Sequence, residues 1–313
     1  MIMGKIRIGT RESQLAIWQA TQVKQLLAQD GFESELVFIK SEGDIDLVTP
    51  LYEIGVQGIF TRSLDAALLS NRIDVAVHSL KDVPTQLPNG IVQAAVLKRG
   101  PVHDLLVLKD KETQEKYAFL PTSGAGFIVA TSSIRRKAQW LNKYPAHTIE
   151  NLRGNINTRL KKLNEGYWDA AIFARAGLER IDLRPPMSIT LDWMLPAPAQ
   201  GAIVAVCREN DQFAHDACRH FNDEETERCT RIERDFLRKL LGGCSTPISA
   251  LAEIKGSQVH FKGNILSLDG REKVEIEKVV EAKNSTNLGK LAAEDLLAQG
   301  GEEIAEEIRH ATK

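Results

Sequence analysis

The sequence predicts an α/β protein with mixed, mostly parallel sheets, followed by a separate α+β domain. Two patterns carry that prediction. Up to Cys207, short runs rich in β-branched residues alternate with amphipathic helical patterns, as strand–helix–strand units do. Beyond Cys207 come long charged helical stretches, then strand-like runs in succession and a terminal helix, an order that suits a domain of its own.

In chain order, residues 5–9 read as the first strand. Thr10-Arg11-Glu12-Ser13 then opens a helix whose apolar residues Leu15, Ile17, Trp18, Val23, Leu26 and Leu27 fall at helical spacing. Further strands are expected at 36–39, 75–78, 91–97, 105–108, 127–130, 148–149, 170–174 and 203–207. Lys98-Arg99-Gly100-Pro101 and Leu195-Pro196-Ala197-Pro198-Ala199-Gln200-Gly201 have the glycine and proline content of linkers or hinges. In the last part, 249–254, 258–268 and 273–280 read as strands, and helix is expected from residue 286 onward.

Composition narrows the class. The 313 residues, 43% hydrophobic, suffice for substantial cores and two or three domains. With 40 Lys and Arg against 42 Asp and Glu, the chain lacks the basic excess of a nucleic-acid binder. No apolar run reaches membrane-spanning length and the N-terminus shows no signal-peptide core, so a cytoplasmic protein away from the membrane is expected. Cys207, Cys218, Cys229 and Cys244 show no C-x-x-C spacing and no neighbouring histidine pattern, so neither zinc nor a structural disulfide is expected.

The positive charge is local. Residues 131–180 hold ten Lys and Arg against four Asp and Glu. They include two strand-to-helix junctions, Thr131-Ser132-Ser133-Ile134-Arg135-Arg136 and Asn151-Leu152-Arg153-Gly154-Asn155 running on to Arg159, which repeat the layout of Arg11 and Ser13. Helix N-termini favour anions, and guanidinium forks add bidentate carboxylate or phosphate binding, so a ligand with several negative groups is expected. The plainer alternative at each junction is that Ser or Thr only caps its helix and the arginine is a solvated surface residue.

Two further motifs carry chemistry. Val77-His78-Ser79-Leu80-Lys81-Asp82-Val83-Pro84 ends a strand in polar and charged side chains, where α/β sheets place their sites. Asp82 could simply close a turn. Set among cationic groups, a carboxylate there would stay ionised near neutrality and suit the stabilisation of a developing cation. Leu240-Leu241-Gly242-Gly243-Cys244-Ser245-Thr246-Pro247 puts a cysteine on a turn open to access, where a thiol can be a point of covalent attachment or else a small buried hydrophobe.

Together, Arg11-Glu12-Ser13, the 77–84 motif, Thr131 to Arg136, Leu152-Arg153-Gly154-Asn155 and Gly242 to Pro247 resemble the porphobilinogen deaminase family, in order and spacing from about Lys5 to the C-terminus. The resemblance implies two type II periplasmic-binding-protein-like domains, 1–99 with 199–218 and 103–195, plus a C-terminal α+β domain, 222–313, that carries the cofactor cysteine. It implies a dipyrromethane cofactor bound by thioether to Cys244, and head-to-tail joining of four porphobilinogen molecules with loss of ammonia, then hydrolysis to hydroxymethylbilane. By the same resemblance Asp82 faces the pyrrole nitrogen of the azafulvene cation left by ammonia loss. Lys81, Asp82, Ser133, Arg135 and Arg136 would hold the cofactor, and Arg11, Ser13, Arg153, Arg159 and Arg180 the substrate or growing chain. A monomer with no metal is implied.

The chain departs from the family in the loop from Tyr52 to Leu64, which the resemblance makes a flap over the cleft. Glu53 and Gln57 stand where relatives usually have lysines and Ser63 where they have an acid, while Phe60 keeps the expected aromatic. A non-catalytic anion-binding protein would share the α/β pattern and helix-end arginines but not the Cys244 turn. A nucleic-acid binder would share only the Arg-rich middle.

Overall fold

The computed structural model describes residues 4–40, 61–118, 126–240 and 246–311. With strands numbered in chain order, the first sheet contains β1 (Ile6–Thr10), β2 (Ser34–Phe38), β3 (Val75–Ser79), β4 (Ile91–Val96) and β10 (Ile203–Arg208), in the order β2-β1-β3-β10-β4. The second contains β5 (Asp104–Leu108), β6 (Ile128–Ala130), β7 (Thr148–Glu150), β8 (Ala170–Ala174) and β9 (Ser188–Leu191), in the order β7-β6-β8-β5-β9. The third is an antiparallel meander of β11 (Ile248–Lys255), β12 (Gln258–Leu266) and β13 (Lys273–Glu281).

Both large sheets follow one plan. A strand pairs in parallel with two neighbours (β1 with β2 and β3; β6 with β7 and β8), and one of those neighbours then pairs antiparallel with a strand entered from a crossing between the sheets. That strand is β10 in the first sheet and β5 in the second, and each is antiparallel to its outer neighbour as well. The sheets are therefore mixed as expected, but parallel and antiparallel pairings balance, which corrects the expectation of mostly parallel pairing. A parallel neighbour needs a helical crossover, and β5 and β10 arrive instead directly from the other sheet, free to insert in the opposite sense.

The central strands are buried on both faces and so read as continuous apolar runs. Ten helices among the described residues cover the sheets: α1 (Gln14–Gln29), α2 (Arg62–Leu69), α3 (Lys111–Ala118), α4 (Ile134–Lys143), α5 (Ile156–Glu165), α6 (Arg175–Glu179), α7 (Gln212–Arg219), α8 (Glu224–Leu240), α9 (Leu288–Leu296) and α10 (Glu302–Ala311). In the first half, Val75 and Val77 pack with Ala20, Val23 and Leu27 of α1 and with α7, while Ala76 on the other face packs with Leu64 and Leu68 of α2. In the second, Ala171 and Phe173 face Ile156 and Leu163 of α5, while Ala170 and Ile172 face Trp140 of α4. Phe236 and Leu240 of α8 fill a third core with Phe261 and Ile265 of the meander.

Two local departures from the sequence reading have simple causes. β9 was not expected, because Ser188-Ile189-Thr190-Leu191 is a short edge strand behind Pro185-Pro186 with only Leu191 fully buried. The terminal helix is split into α9 and α10, since Gly300 takes φ +103, a left-handed conformation that a helix cannot pass through.

The chain crosses between the large sheets twice, after Leu97 and before Ile203, and the crossings run side by side. Leu97 N donates to Ile203 O and Gly100 N to Gly201 O, both at 3.0 Å. Gly201 has φ +88, and a Cβ there would lie 2.6 Å from Gly100 O, so only glycine lets the two backbones approach. Helix α8 locks both crossings through Glu233, which is 0% exposed. Its carboxylate accepts from Arg99 Nη1 (2.6 Å) and Nη2 (2.9 Å), from Ala199 N (2.6 Å) and from Ala252 N of β11 (2.8 Å).

Candidate active site

The first half contributes the end of β3. Its backbone leaves the sheet in a 3-10 turn, Leu80–Asp82, anchored by the buried Leu80 side chain and by Leu80 N donating to Ala202 O at 3.0 Å. Lys81 is half-buried and Asp82 exposed. Lys81 Nζ donates to Gln200 Oε1 at 3.2 Å, on the second crossing.

The second half contributes the junction after β6. Ser133 caps α4, its Oγ accepting from Arg136 N at 3.5 Å. That start turns Arg135 and Arg136 inward onto Asp104, the first residue of β5, which is 0% exposed. Arg135 Nη2 and Arg136 Nη2 each donate to one Asp104 oxygen at 2.7 Å, and Gln200 Nε2 adds a third bond at 3.0 Å. Arg135 Nη1 also reaches Leu195 O (2.8 Å) and Arg136 Nη1 reaches Ile172 O (3.0 Å).

The loop ahead of α5 brings Arg153, which is buried, and α5 itself brings Arg159, whose guanidinium lies 5.2 Å from the Phe173 ring centroid. Asn155 caps this helix, its Oδ1 accepting from Thr158 N at 2.9 Å. Ser13 caps α1 in the same way, accepting from Ala16 N at 3.3 Å. The starts of α1 and α5 meet across the two halves, where Asn157 Nδ2 donates to Gln14 Oε1 at 3.0 Å. The plainer capping role thus holds at every junction, and the junctions still converge.

Electrostatics show which charges share one environment. Burial pushes Lys81 down to about 8, with Arg136 and Arg135 acting in the same direction and Asp82 and Asp104 opposing. Burial pushes Arg159 down to about 10, helped by Arg136 and Arg153 and opposed by Asp82. Arg135 is lowered by burial despite Asp104. Burial alone would raise Asp104, but Arg135 and Arg136 outweigh it and hold that carboxyl well below the usual carboxylate range. His78, buried with its Nε2 lacking a hydrogen-bond partner, is pushed down to about 4 by burial and by Arg11.

Lys81, Arg135, Arg136, Arg153 and Arg159 therefore gather around Asp82 and Asp104, with cations in excess. The Nε atoms of Arg136 and Arg159 are buried without a hydrogen-bond partner, a deficit that carboxylates on a bound molecule would fill. Arg180 lies beside the crossings. Its Nη2 donates to Gly201 O at 2.7 Å and its guanidinium lies 5.6 Å from the Trp18 ring, in a cavity of about 610 Å³ beside the crossings lined also by Lys98, Gly100 and Phe221. Cys244, Gln57 and Phe60 lie outside the described residues. Among the described residues no group of three or more His, Cys, Asp or Glu is placed to hold a metal, and no helix is long and apolar enough to cross a membrane. Cys207, Cys218 and Cys229 are free and buried, and burial raises all three thiols.

Sequence reasoning missed Asp104 and Gln200. A carboxylate heading the apolar run Leu105-Leu106-Val107-Leu108 was a usable signal, because a charge at a buried strand needs partners. Gln200 sits in a proline-rich crossing where nothing local marks it.

Cationic side chains at the carboxyl ends of strands in two like α/β halves, around one exposed carboxylate, define a site for an organic polyanion. Comparison with known proteins gives the class a family. Residues 6–216 match the description "Porphobilinogen deaminase, dipyromethane cofactor binding domain" and residues 227–298 match "Porphobilinogen deaminase, C-terminal domain". The porphobilinogen deaminase of Maridesulfovibrio salexigens is 40% identical over 98% of this chain and 99% of its own. A probable porphobilinogen deaminase of Methanocella arvoryzae is 39% identical over 97% and 98%. The solved methionine-binding protein MetQ is similar at 14% identity and TM-score 0.44, over 69% of this chain and 89% of its own. The chain belongs to the porphobilinogen deaminase family. It is a transferase of tetrapyrrole biosynthesis that polymerises porphobilinogen with a dipyrromethane cofactor.

Proposed function

We propose that Cys244 carries the dipyrromethane through a thioether, and that the chain joins porphobilinogen units head to tail beside Asp82 and releases hydroxymethylbilane. The observation that carries the site assignment is the cationic excess around Asp82 together with the unpartnered Nε atoms of Arg136 and Arg159. Lys81, Arg135 and Arg136 then face the cofactor carboxylates, with Ser133 fixing the start of α4. Arg11, Ser13, Arg153 and Arg159 take the incoming substrate and growing chain. Arg180, which donates to Gly201 O beside the crossings, joins them as a ligand of the substrate or growing chain. When bound, the cofactor supplies the pyrrole carbon to which the first substrate is joined.

Asp82 is the one exposed carboxylate in this group and is free to face a substrate pyrrole. Loss of ammonia leaves a cation shared with the pyrrole nitrogen, and a carboxylate at about 4 Å with an effective dielectric near 20 stabilises it by roughly 4 kcal/mol, on the order of a thousandfold in rate. Asp82→Asn keeps the shape and removes the charge, so the condensation rate is expected to fall by about that factor with folding little changed.

The three cores support domains at 1–99 with 199–218, at 103–195 and at 222–313, and a cytoplasmic monomer is proposed with them. Intact mass tests the anchor. The wild-type chain should be heavier by two linked pyrrole units, and Cys244→Ala should be folded by circular dichroism, of unmodified mass and inactive. Normal turnover by Cys244→Ala would sink the assignment.

A further inference from the structure

We propose that Arg234, on α8, is a positioning residue that sets the direction of Asp82. The 3-10 turn that carries Asp82 is three residues long, closed by Val83 N donating to Leu80 O at 3.2 Å and anchored at its start by Leu80. The carbonyls flanking Lys81 and Asp82 are gathered by one guanidinium. Arg234 Nη1 donates to Leu80 O (3.2 Å) and Val83 O (2.9 Å), and Nη2 donates to Pro84 O (2.6 Å). A planar fork can serve three carbonyls from one fixed orientation, whereas an ammonium on a flexible stem cannot.

The geometry is specific to the turn. The neighbouring residue Glu233 clamps both crossings, so consecutive residues of one helix fix the hinge and the Asp82 turn together. Attachment of α8 to the first half does not depend on Arg234. Gln93 Nε2 donates to Glu227 Oε1 (3.2 Å), Arg99 N donates to Thr226 Oγ1 (3.0 Å), and Glu233 accepts from the Arg99 guanidinium. What Arg234 adds is the orientation of a carboxylate that must meet a pyrrole nitrogen. A misplacement of about 1 Å can cost on the order of a hundredfold in rate.

The inference rests on the reading of Asp82 given above, and the test separates the two. Arg234→Gln, Arg234→Lys, Asp82→Asn and the double variant Asp82→Asn/Arg234→Gln are prepared as full-length holoenzyme, with cofactor loading checked by intact mass. Porphobilinogen consumption is measured per folded, loaded molecule. Arg234→Gln is expected to lower kcat by about tenfold to a hundredfold with KM within about twofold, Arg234→Lys to recover part of the loss, and the double variant to be no slower than Asp82→Asn. An unchanged kcat in Arg234→Gln, or a loss that multiplies fully with that of Asp82→Asn, overturns the positioning role. Normal turnover by Asp82→Asn alone overturns the reading of Asp82, and the role of Arg234 falls with it.

Discussion

His78 shows what a single buried residue contributes when its partners are absent. It is held neutral, pushed down to about 4 by burial first and Arg11 second, against about 6.5 for the unfolded chain. Between those values the unfolded chain holds a proton at this position and the folded chain does not, so stability is lost as pH falls from about 6.5 to 4. His78→Phe removes that proton uptake. Going from pH 7 to pH 5, the variant should lose about 2 kcal/mol less stability than wild type, by urea unfolding at each pH. Any pH-independent packing cost of the substitution cancels in that difference, and His147, also lowered by burial, is common to both proteins. Equal losses in the two proteins would mean His78 titrates normally in the fold.

Helix α4 is the element that turns a local sequence signal into a site. The Ser133 cap was legible in the sequence because capping is local, and so was Arg135-Arg136 in the first turn. Their partner Asp104, the polarity of β5 and β10 and the strand β9 were not, because each is decided by contacts distant in the chain. The same limit hid Glu233, which reads in sequence as one more charge on a charged helix. Arg135 and Arg153 differ in what a lysine would break. Arg135→Lys forfeits a fork shared between Asp104 and Leu195 O, so it should cost about 1–3 kcal/mol of stability and leave cofactor loading impaired. Arg153→Lys, on the loop before α5, should load cofactor normally and accumulate elongation intermediates. Native mass spectrometry after limited substrate shows both as ladders of bound pyrroles, and identical ladders would dissolve the division between cofactor and substrate arginines.

At the scale of the molecule, the site exists only while the two halves keep their spacing, and Glu233 adds to the paired crossings and the Asn157–Gln14 bond in fixing it. Its fully buried carboxylate joins Arg99 on one crossing, Ala199 on the other and Ala252 in the meander, so both crossings and the C-terminal sheet meet at one group. Glu233→Gln keeps the volume but turns an amide NH2 toward groups that can only donate. Removing one partner of such a buried pair costs about 3–5 kcal/mol, since the guanidinium of Arg99 is left underpaired. The loss should also divide the unfolding. Trp18, Trp140, Trp168 and Trp193 all lie in the first two cores or beside them, and none in the meander domain, so tryptophan fluorescence follows the α/β halves while far-UV circular dichroism follows the whole chain. In urea the two transitions should coincide for wild type and separate in Glu233→Gln, because the C-terminal domain no longer shares its stability with the crossings. A loss below about 1 kcal/mol with coincident transitions would mean that apolar packing, and not this carboxylate, couples the three units.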